Sequence, residues 1–240
     1  LGGMPLYDSL CAAFGTAGTG GFGIKSDSMG SYSLYIQIVI TIFMILFGVN
    51  FNVYFLLLTR KFSQALKSEE VRCYFFVIIA SALMITFNVR HLFDNVWEAL
   101  QQAFFQVGSI ITTTGYATTD FNQWPAVSRT ILVLLTFCGA CAGSTGGGIK
   151  ISRLLLLAKS VRKELHLYLH PNAVKKIKMD GKAVSHEVMR ATNIYMIVYL
   201  MIMAASITAC KLAAETLDDK KQAVYIQEML DEMGESTWQN

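Results

Sequence analysis

The chain has 240 residues, of which 53% are hydrophobic and only 15% are charged, and its mean hydropathy is +0.44. Soluble domains carry roughly 25% charged residues, so this composition points to a membrane protein and argues against a soluble globular one. The net charge of +3 is too small to indicate a nucleic-acid partner.

The first element is a short predicted helix at 5–14, which leads into a stretch rich in glycine and threonine, GTAGTGGFG at 15–23. Three of its glycines have the GxGxxG spacing of a dinucleotide-binding turn: Gly18, Gly20 and Gly23. Such a turn needs a buried strand before it and a helix opening at its third glycine, and neither flank has those features. The chain begins at Leu1 without an initiator methionine, and we expect it to be a fragment.

Four apolar segments follow, each near the roughly 20 residues that a membrane-spanning helix needs. They occupy 34–59, 73–89, 126–161 with a break at GSTGGG, and 191–210. The sequence therefore predicts an all-α integral membrane protein.

Basic residues predict how the spans are oriented, because cytoplasmic loops are enriched in lysine and arginine. The connector between the first two spans contains Arg60, Lys61, Lys67 and Arg72. The connector between the last two contains Lys159, Arg162, Lys163, Lys175, Lys176, Lys178 and Lys182. The linker between the second and third spans has few basic residues near the membrane. Both basic connectors are therefore predicted to be cytoplasmic.

The external linker at 90–125 repeats the order found at the start of the chain. A short amphipathic helix at 95–106 leads into a Gly/Thr stretch and then the polar sequence NQWP. This order is typical of a re-entrant hairpin, whose non-helical backbone must be buried in protein or face a water-filled cavity. Superposing TGGF at 19–22 on TGYA at 114–117 gives an internal repeat with an offset of 95 residues.

Two Gly/Thr loops at membrane depth can bind a cation through backbone carbonyls, as the TVGYG loops of potassium channels do. Glycine permits the backbone angles that align the carbonyls, and threonine can add a hydroxyl oxygen. The alternative is that these glycines only form tight turns or close helix contacts. The CxxC at Cys138 and Cys141 has no second CxxC, and the four histidines lack metal-type spacing, so we expect no resident metal or cofactor.

Four stretches carry a resemblance to a known family: TGGF at 19–22, QAFFQVGSIITTTGYATTD at 102–120, GACAGSTGGGIK at 139–150 and LHPNAV at 169–174. Over about 1–211 the chain resembles the membrane subunit of the Trk-type potassium uptake system, in the Trk/Ktr/HKT superfamily. In that family four span–loop–span repeats surround one pore. The resemblance implies that about two of the four are present here.

The resemblance also assigns roles to the two loops. It implies that Gly20 and Gly115 are the central glycines of a potassium-selective filter. The neighbouring carbonyls that face potassium would come from Gly18, Thr19, Thr113 and Thr114. Potassium is then the transported ion, bound at these filter residues only. Neither loop has the full TVGYG motif.

The glycine-rich break in the third span is the candidate gating loop, composed of Gly143, Ser144, Thr145, Gly146, Gly147 and Gly148. The glycines interrupt helical hydrogen bonding, and the two hydroxyl side chains can satisfy freed backbone groups. By resemblance this loop lies beneath the filter and gates ion flow, whereas the bland alternative is a passive kink. A phosphate-binding loop is disfavoured because Ile149 separates the last glycine from Lys150.

We predict five regions along the chain. They are the second-repeat pore loop and its following span at 1–62, the third repeat at 63–164, a cytosolic loop at 165–188, the first span of the fourth repeat at 189–211 and an atypical polar tail at 212–240.

The resemblance further implies a multi-pass protein of the bacterial inner (plasma) membrane that is not an enzyme. It would contact membrane lipid, form a homodimer and bind a cytosolic, nucleotide-binding regulatory subunit. Channel-like and ion-coupled transport both stay open. Two rival hypotheses are a truncated, non-conducting assembly partner, because the tail lacks a filter loop, and a membrane-embedded nucleotide-binding module.

Overall fold

The computed structural model describes residues 2–170 and 176–237, with side chains described up to residue 216. In this part of the chain the α-helices are α1 (Leu6–Ala17), α2 (Leu34–Phe47), α3 (Phe51–Leu58), α4 (Phe62–Lys67), α5 (Glu69–Val89), α6 (Val96–Ile111), α7 (Ala126–Phe137), α8 (Ile151–Leu169) and α9 (His186–Thr237). Most of the LHPNAV stretch, and Lys175, lie outside the described residues.

The chain forms two compact units, 1–185 and 186–240. The second consists of α9, whose portion His186–Thr216 is long and apolar enough to cross a membrane, with a mean hydropathy of 1.9. In the first unit the helical segment Glu69–Leu92 is also long and apolar enough to cross a membrane, with a mean hydropathy of 1.7. These apolar helices confirm the predicted all-α membrane class, and the predicted second and fourth spans lie inside them.

The predicted span at 34–59 is not one straight helix, because the chain bends by 92° between α2 and α3, which together are apolar enough for a broken span or a re-entrant segment. With its 14 residues, α2 is about 21 Å long, which is shorter than the roughly 30 Å hydrocarbon core of a bilayer. Asn50 begins the new helix: its side-chain oxygen accepts a hydrogen bond from the Asn52 N–H at 2.9 Å. A hydropathy count misses this bend because the flanking residues on both sides are equally apolar.

The predicted break in the third span is confirmed, although it is longer than the GSTGGG motif. α7 ends at Phe137 and α8 begins at Ile151, so the non-helical segment covers 138–150. Its first residue, Cys138, and its last residue but one, Ile149, are joined by a parallel β-bridge. The break is therefore a closed loop, which we call the intramembrane loop (138–150).

The centre of the first unit is the packing of α5 against α6. α5 contributes a buried stripe at intervals of three and four residues, Tyr74, Ile78, Ala82, Ile85 and Val89, and α6 contributes Ala99, Ala103, Val107 and Ile111. Lipid tails are as apolar as these side chains, so burial alone does not hold two such helices together in a membrane. The alanines allow close backbone approach, and the resulting van der Waals contact supplies the attraction.

A short antiparallel hairpin, β1 (Lys178–Met179) and β2 (Lys182–Ala183), lies within the connector predicted as a cytosolic loop. Its two turn residues, Asp180 and Gly181, both have positive φ, as a two-residue type I′ turn requires. The Asp180 carboxylate accepts a hydrogen bond from the Glu69 N–H at 2.7 Å. The hairpin is thereby attached to the first turn of α5.

Gly48 is required at the bend after α2 by close packing. A Cβ at this position would overlap the Tyr74 hydroxyl and lie 2.9 Å from Cγ2 of Thr112. We expect Gly48→Ala to destabilise the full-length protein by about 1–3 kcal/mol, the usual cost of overpacking. A Tyr74→Phe background should recover part of this loss, because it removes the nearest clashing atom.

The measurement is thermal unfolding in detergent. Gly108→Ala is the control, since its Cβ would lie at an ordinary 3.4 Å from Ile45. Equal unfolding midpoints for Gly48→Ala and the parent protein would contradict the packing argument.

Candidate functional site

The two short re-entrant helices, α1 and α6, lead into backbone segments that follow the same course. We call residues 18–23 the first pore loop and residues 112–117 the second pore loop. In each, a threonine and the glycine two residues later have positive φ: Thr19 (50°) and Gly21 (68°) in the first, Thr113 (58°) and Gly115 (87°) in the second. Positive φ is uncommon for a β-branched residue, so its recurrence identifies equivalent positions.

Hydrogen bonds from each loop back to its helix give the same alignment. The Gly20 N–H donates to the Gly15 carbonyl at 2.8 Å, and the Thr114 N–H donates to the Ser109 carbonyl at 2.9 Å. Two residues earlier, the Gly18 N–H donates to the Phe14 carbonyl and the Thr112 N–H donates to the Gly108 carbonyl. The predicted internal repeat is therefore present in the backbone itself.

The predicted offset of 95 residues is wrong by one. Thr19 corresponds to Thr113, which gives an offset of 94 (113 minus 19), and Gly21 corresponds to Gly115. Gly20 corresponds to Thr114. The sequence alignment paired Gly20, the first glycine after Thr19, with Gly115. In the structure the glycine with positive φ in the first loop is the next residue, Gly21.

Glycine is required at these two positions for different reasons. A Cβ on Gly21 would overlap the carbonyl of Thr114, so the first loop passes directly against the second. A Cβ on Gly115 would meet nothing within 4 Å. At Gly115 the restriction is therefore the positive φ, and the position borders open space.

The two pore loops pack against each other along their outer parts. Tyr116 is buried, and its hydroxyl donates to the Phe22 carbonyl at 3.4 Å. The Met29 N–H donates to the Ala117 carbonyl at 2.9 Å, and the Ala117 N–H donates to the Ser28 hydroxyl at 3.2 Å. The structure thus brings the two predicted filter segments together, although about 94 residues separate them in sequence.

Side chains of α6 hold the second pore loop in place. The buried Ser109 hydroxyl donates to the Tyr116 carbonyl at 2.6 Å, and the hydroxyls of Thr112 and Thr114 lie 2.7 Å apart. Farther out, the Gln106 amide bonds to the Thr119 carbonyl at 3.4 Å. These bonds from protein groups hold the non-helical backbone of the loop in place, as its burial in protein requires.

The intramembrane loop is fastened to the bend between α2 and α3. The Cys141 N–H donates to the Gly48 carbonyl at 3.0 Å, and the Phe51 N–H donates to the Gly143 carbonyl at 3.1 Å. The Ser144 hydroxyl donates to the Cys141 carbonyl, and the Thr145 hydroxyl to the Phe47 carbonyl, at 2.6 and 3.4 Å. Ser144 and Thr145 therefore satisfy freed backbone groups, as the sequence predicts.

The same loop also bonds directly to both pore loops, and it does so at equivalent threonines. The Thr19 hydroxyl is 3.1 Å from the Thr145 carbonyl, and the Gly147 N–H donates to the Thr113 hydroxyl at 2.6 Å. Gly146 lies against the Thr112 carbonyl, because a Cβ there would be 3.0 Å from that oxygen. The predicted gating residues 145–147 thus contact the inner ends of the predicted filter, while Gly143 lies beside Asn50.

Sequence reasoning missed Glu70, the carboxylate that contacts the intramembrane loop. It is buried, and its Oε1 accepts hydrogen bonds from the N–H groups of Ala142 (2.5 Å) and Ser152 (3.3 Å). The sequence feature that could have indicated this contact is the acidic pair Glu69 and Glu70, which lies just before an apolar span. An acidic residue beside a span is usually solvated, so the sequence alone does not distinguish the buried member from the exposed one.

Comparison with known proteins identifies the family. Residues 2–218 match the family described as TrkH: Cation transport protein. The chain belongs to the TrkH family. It is 33% identical over 236 residues to the Trk system potassium uptake protein TrkH of Salmonella typhimurium, a match that covers 97% of this chain and 48% of that protein.

Two further matches agree with this assignment. The Trk system potassium uptake protein TrkG of Escherichia coli is 33% identical over 205 residues, covering 84% of this chain and 42% of TrkG. The crystal structure of the potassium transporter TrkH from Vibrio parahaemolyticus superposes with a TM-score of 0.79 at 32% identity, covering 85% of this chain and 45% of that one. The chain spans about half the length of the relatives that it matches.

TrkH membership confirms the predicted resemblance and the fold class of spans with re-entrant pore loops. Together with the apolar helices and the bacterial relatives, it makes the chain a multi-pass protein of the bacterial inner membrane. The residue roles in the filter and the gating loop, and the five predicted regions, stay predictions.

The contact between Thr113 and Gly147 gives a direct test of the site geometry. Thr113→Val removes the acceptor of the Gly147 N–H, and a typical hydrogen bond contributes about 0.5–1.5 kcal/mol. We therefore expect hydrogen exchange of this amide in the full-length protein to accelerate roughly 2- to 10-fold. Mass spectrometry of a peptide covering 143–150 measures it. Thr113→Ser keeps the hydroxyl and is the control; equal exchange in both variants would refute the contact.

Proposed function

We propose that this TrkH-family chain contributes two quadrants of a potassium-selective filter, through which potassium enters the cell. The observation that carries the proposal is the common backbone course of the two pore loops after short re-entrant helices. With the offset of 94, TGGFG at 19–23 and TTGYA at 113–117 both align with TVGYG. Each has threonine first, glycine third and an aromatic residue fourth, which is the pattern of carbonyl-lined potassium filters.

The chemistry of this filter lies in backbone carbonyls. A ring of carbonyl oxygens replaces the water shell of a weakly hydrated cation, and the fixed loop supplies those oxygens without a protein charge. We assign the potassium-facing carbonyls to residues that are equivalent under the offset of 94: Thr19, Gly20 and Gly21 in the first pore loop, and Thr113, Thr114 and Gly115 in the second. Gly18, which the sequence resemblance includes, lies before this set. The open space beside Gly115 supports a position on the ion path.

We further propose that Gly143–Gly148 forms the gate of this pathway. Its central residues bond to Thr19 and Thr113 at the inner ends of both pore loops. Gly143 and Gly148 have positive φ (70° and 69°), which places left-handed glycines at both ends of the segment. A loop bonded under the filter obstructs the path until those two hydrogen bonds break.

The relatives are named as components of a Trk system, which supports a partner relationship for the assembled protein. We propose a homodimer in membrane lipid that binds a cytosolic, nucleotide-binding regulatory subunit. The activity that we assign is ion transport, in which the ion is not chemically converted, as the names of the relatives indicate. We propose no enzymatic reaction and no cofactor.

The filter assignment is tested by Gly115→Ser and Gly21→Ser in the full-length protein, expressed in cells that lack other potassium uptake. We expect both to reduce rubidium uptake at least tenfold or to lower the preference for potassium over sodium, because both positions need positive φ. Gly181→Ser is a matched control: this hairpin glycine also has positive φ (79°) and open space around its Cβ. Wild-type uptake and selectivity in both pore variants would refute the filter.

The gate is tested by deleting Gly146–Gly148. We expect a several-fold rise in basal rubidium flux, since the deletion removes the segment that bonds to Thr113. Flux is compared at equal surface expression and equal thermal stability of the two proteins. Unchanged flux would favour the passive kink over the gate.

A further inference from the structure

Glu70 connects the two sides of the proposed gate (143–148) through a single oxygen atom. The side chain is only 5% exposed, on the first turn of α5. Its Oε1 accepts from Ala142, immediately before the proposed gate, and from Ser152, in the first turn of α8 after it. One carboxylate therefore bonds to the chain both before and after the segment 143–148.

The Glu70 carboxylate accepts hydrogen bonds from two backbone N–H groups that belong to different kinds of structure. The N–H groups at the start of a helix have no partner within the helix, and the helix dipole favours negative charge there. Ser152 supplies such an N–H group from α8, and the Ala142 N–H comes from non-helical backbone. Without the acceptor at position 70, two backbone N–H groups lose the partner that the structure gives them.

Other bonds fix the chain on the same two sides of the proposed gate, whereas the segment 143–148 is bonded to the pore loops and to the bend between α2 and α3. The Cys141 N–H bonds to Gly48, and the Ile151 N–H bonds to the Ala140 carbonyl at 3.2 Å. Between these ties lie the left-handed glycines Gly143 and Gly148. Gly143 and Gly148, which can act as hinges, therefore lie between the bonded residues Cys141 and Ile151.

We propose that Glu70 is a positioning residue of the gate: it clamps the chain on both sides of the gate, at Ala142 and Ser152, so that opening moves Gly143–Gly148 between two fixed points and leaves the start of α8 in place. The gating part of this inference rests on the proposed function; the clamp itself does not. Removal of the carboxylate takes the acceptor from the Ala142 and Ser152 N–H groups and loosens both sides of the gate, so that the loop no longer returns reliably to its closed position.

Glu69 provides a matched control one residue away. Its carboxylate pairs with Lys159 on α8, and the side chains of this pair are about 30% exposed, so the neighbour has the same charge but no bond to the loop. Glu69→Ala and Glu70→Ala therefore make the same chemical change at adjacent positions. Glu70→Gln retains an oxygen acceptor of nearly the same size and reports whether that atom is sufficient.

The experiment measures the reactivity of Cys141, which is fully buried beside Ala142. In the full-length protein in its native membrane, all other cysteines are replaced, and labelling by a membrane-permeant maleimide is followed over time. We expect Glu70→Ala to accelerate labelling at least tenfold, and Glu69→Ala and Glu70→Gln to stay within about twofold of the parent. A second reporter, Ala82→Cys in the buried α5–α6 interface, detects general loosening.

Basal rubidium flux is measured on the same variants. A rise in Glu70→Ala that Glu70→Gln restores supports the clamp and its role in gating. Unchanged Cys141 labelling in Glu70→Ala, or equal acceleration at Cys141 and at the α5–α6 reporter, overturns the clamp. Acceleration in Glu70→Gln equal to that in Glu70→Ala overturns its hydrogen-bond basis. Selective Cys141 exposure with no change in flux supports the clamp and refutes the proposed gate.

Discussion

Backbone polar groups that leave a helix at membrane depth have to be satisfied by protein, and most of this structure follows from that constraint. The chain leaves helical geometry in two pore loops, at the bend after α2 and in the intramembrane loop. These irregular segments satisfy one another: Gly48 accepts from Cys141, Phe51 donates to Gly143, and Gly147 donates to Thr113. Each break in a helix therefore depends on the others, and none would be stable alone in lipid.

The residues at these breaks have the chemistry that such mutual satisfaction requires. Glycine allows Gly21 to pass against the Thr114 carbonyl, where any side chain would overlap it. Threonine supplies a hydroxyl that donates or accepts, and the two equivalent threonines use it in opposite senses toward the intramembrane loop. The internal repeat therefore conserves geometry more strictly than it conserves individual hydrogen bonds.

The proposed filter and the proposed gate are adjacent in this arrangement because the intramembrane loop bonds to both pore loops. A movement that frees Thr145 from Thr19 also alters the inner end of the first pore loop. Glu70 adds a fixed reference for the proposed movement, since it bonds to both sides of the segment whose centre contacts the pore loops.

The sequence by itself determined the membrane class, the repeat of short helix, Gly/Thr loop and span, and the glycine-rich break, because hydropathy and glycine content are local properties. Tertiary structure decided the 92° bend after α2, the offset of 94 and the burial of Glu70. The bend depends on the fit of Gly48 against Tyr74 and Thr112, and the offset depends on backbone angles that glycine and threonine both adopt. Glu69 and Glu70 are neighbours of the same residue type. Glu70 is the buried one because the intramembrane loop, 72 residues away at Ala142, passes beside it.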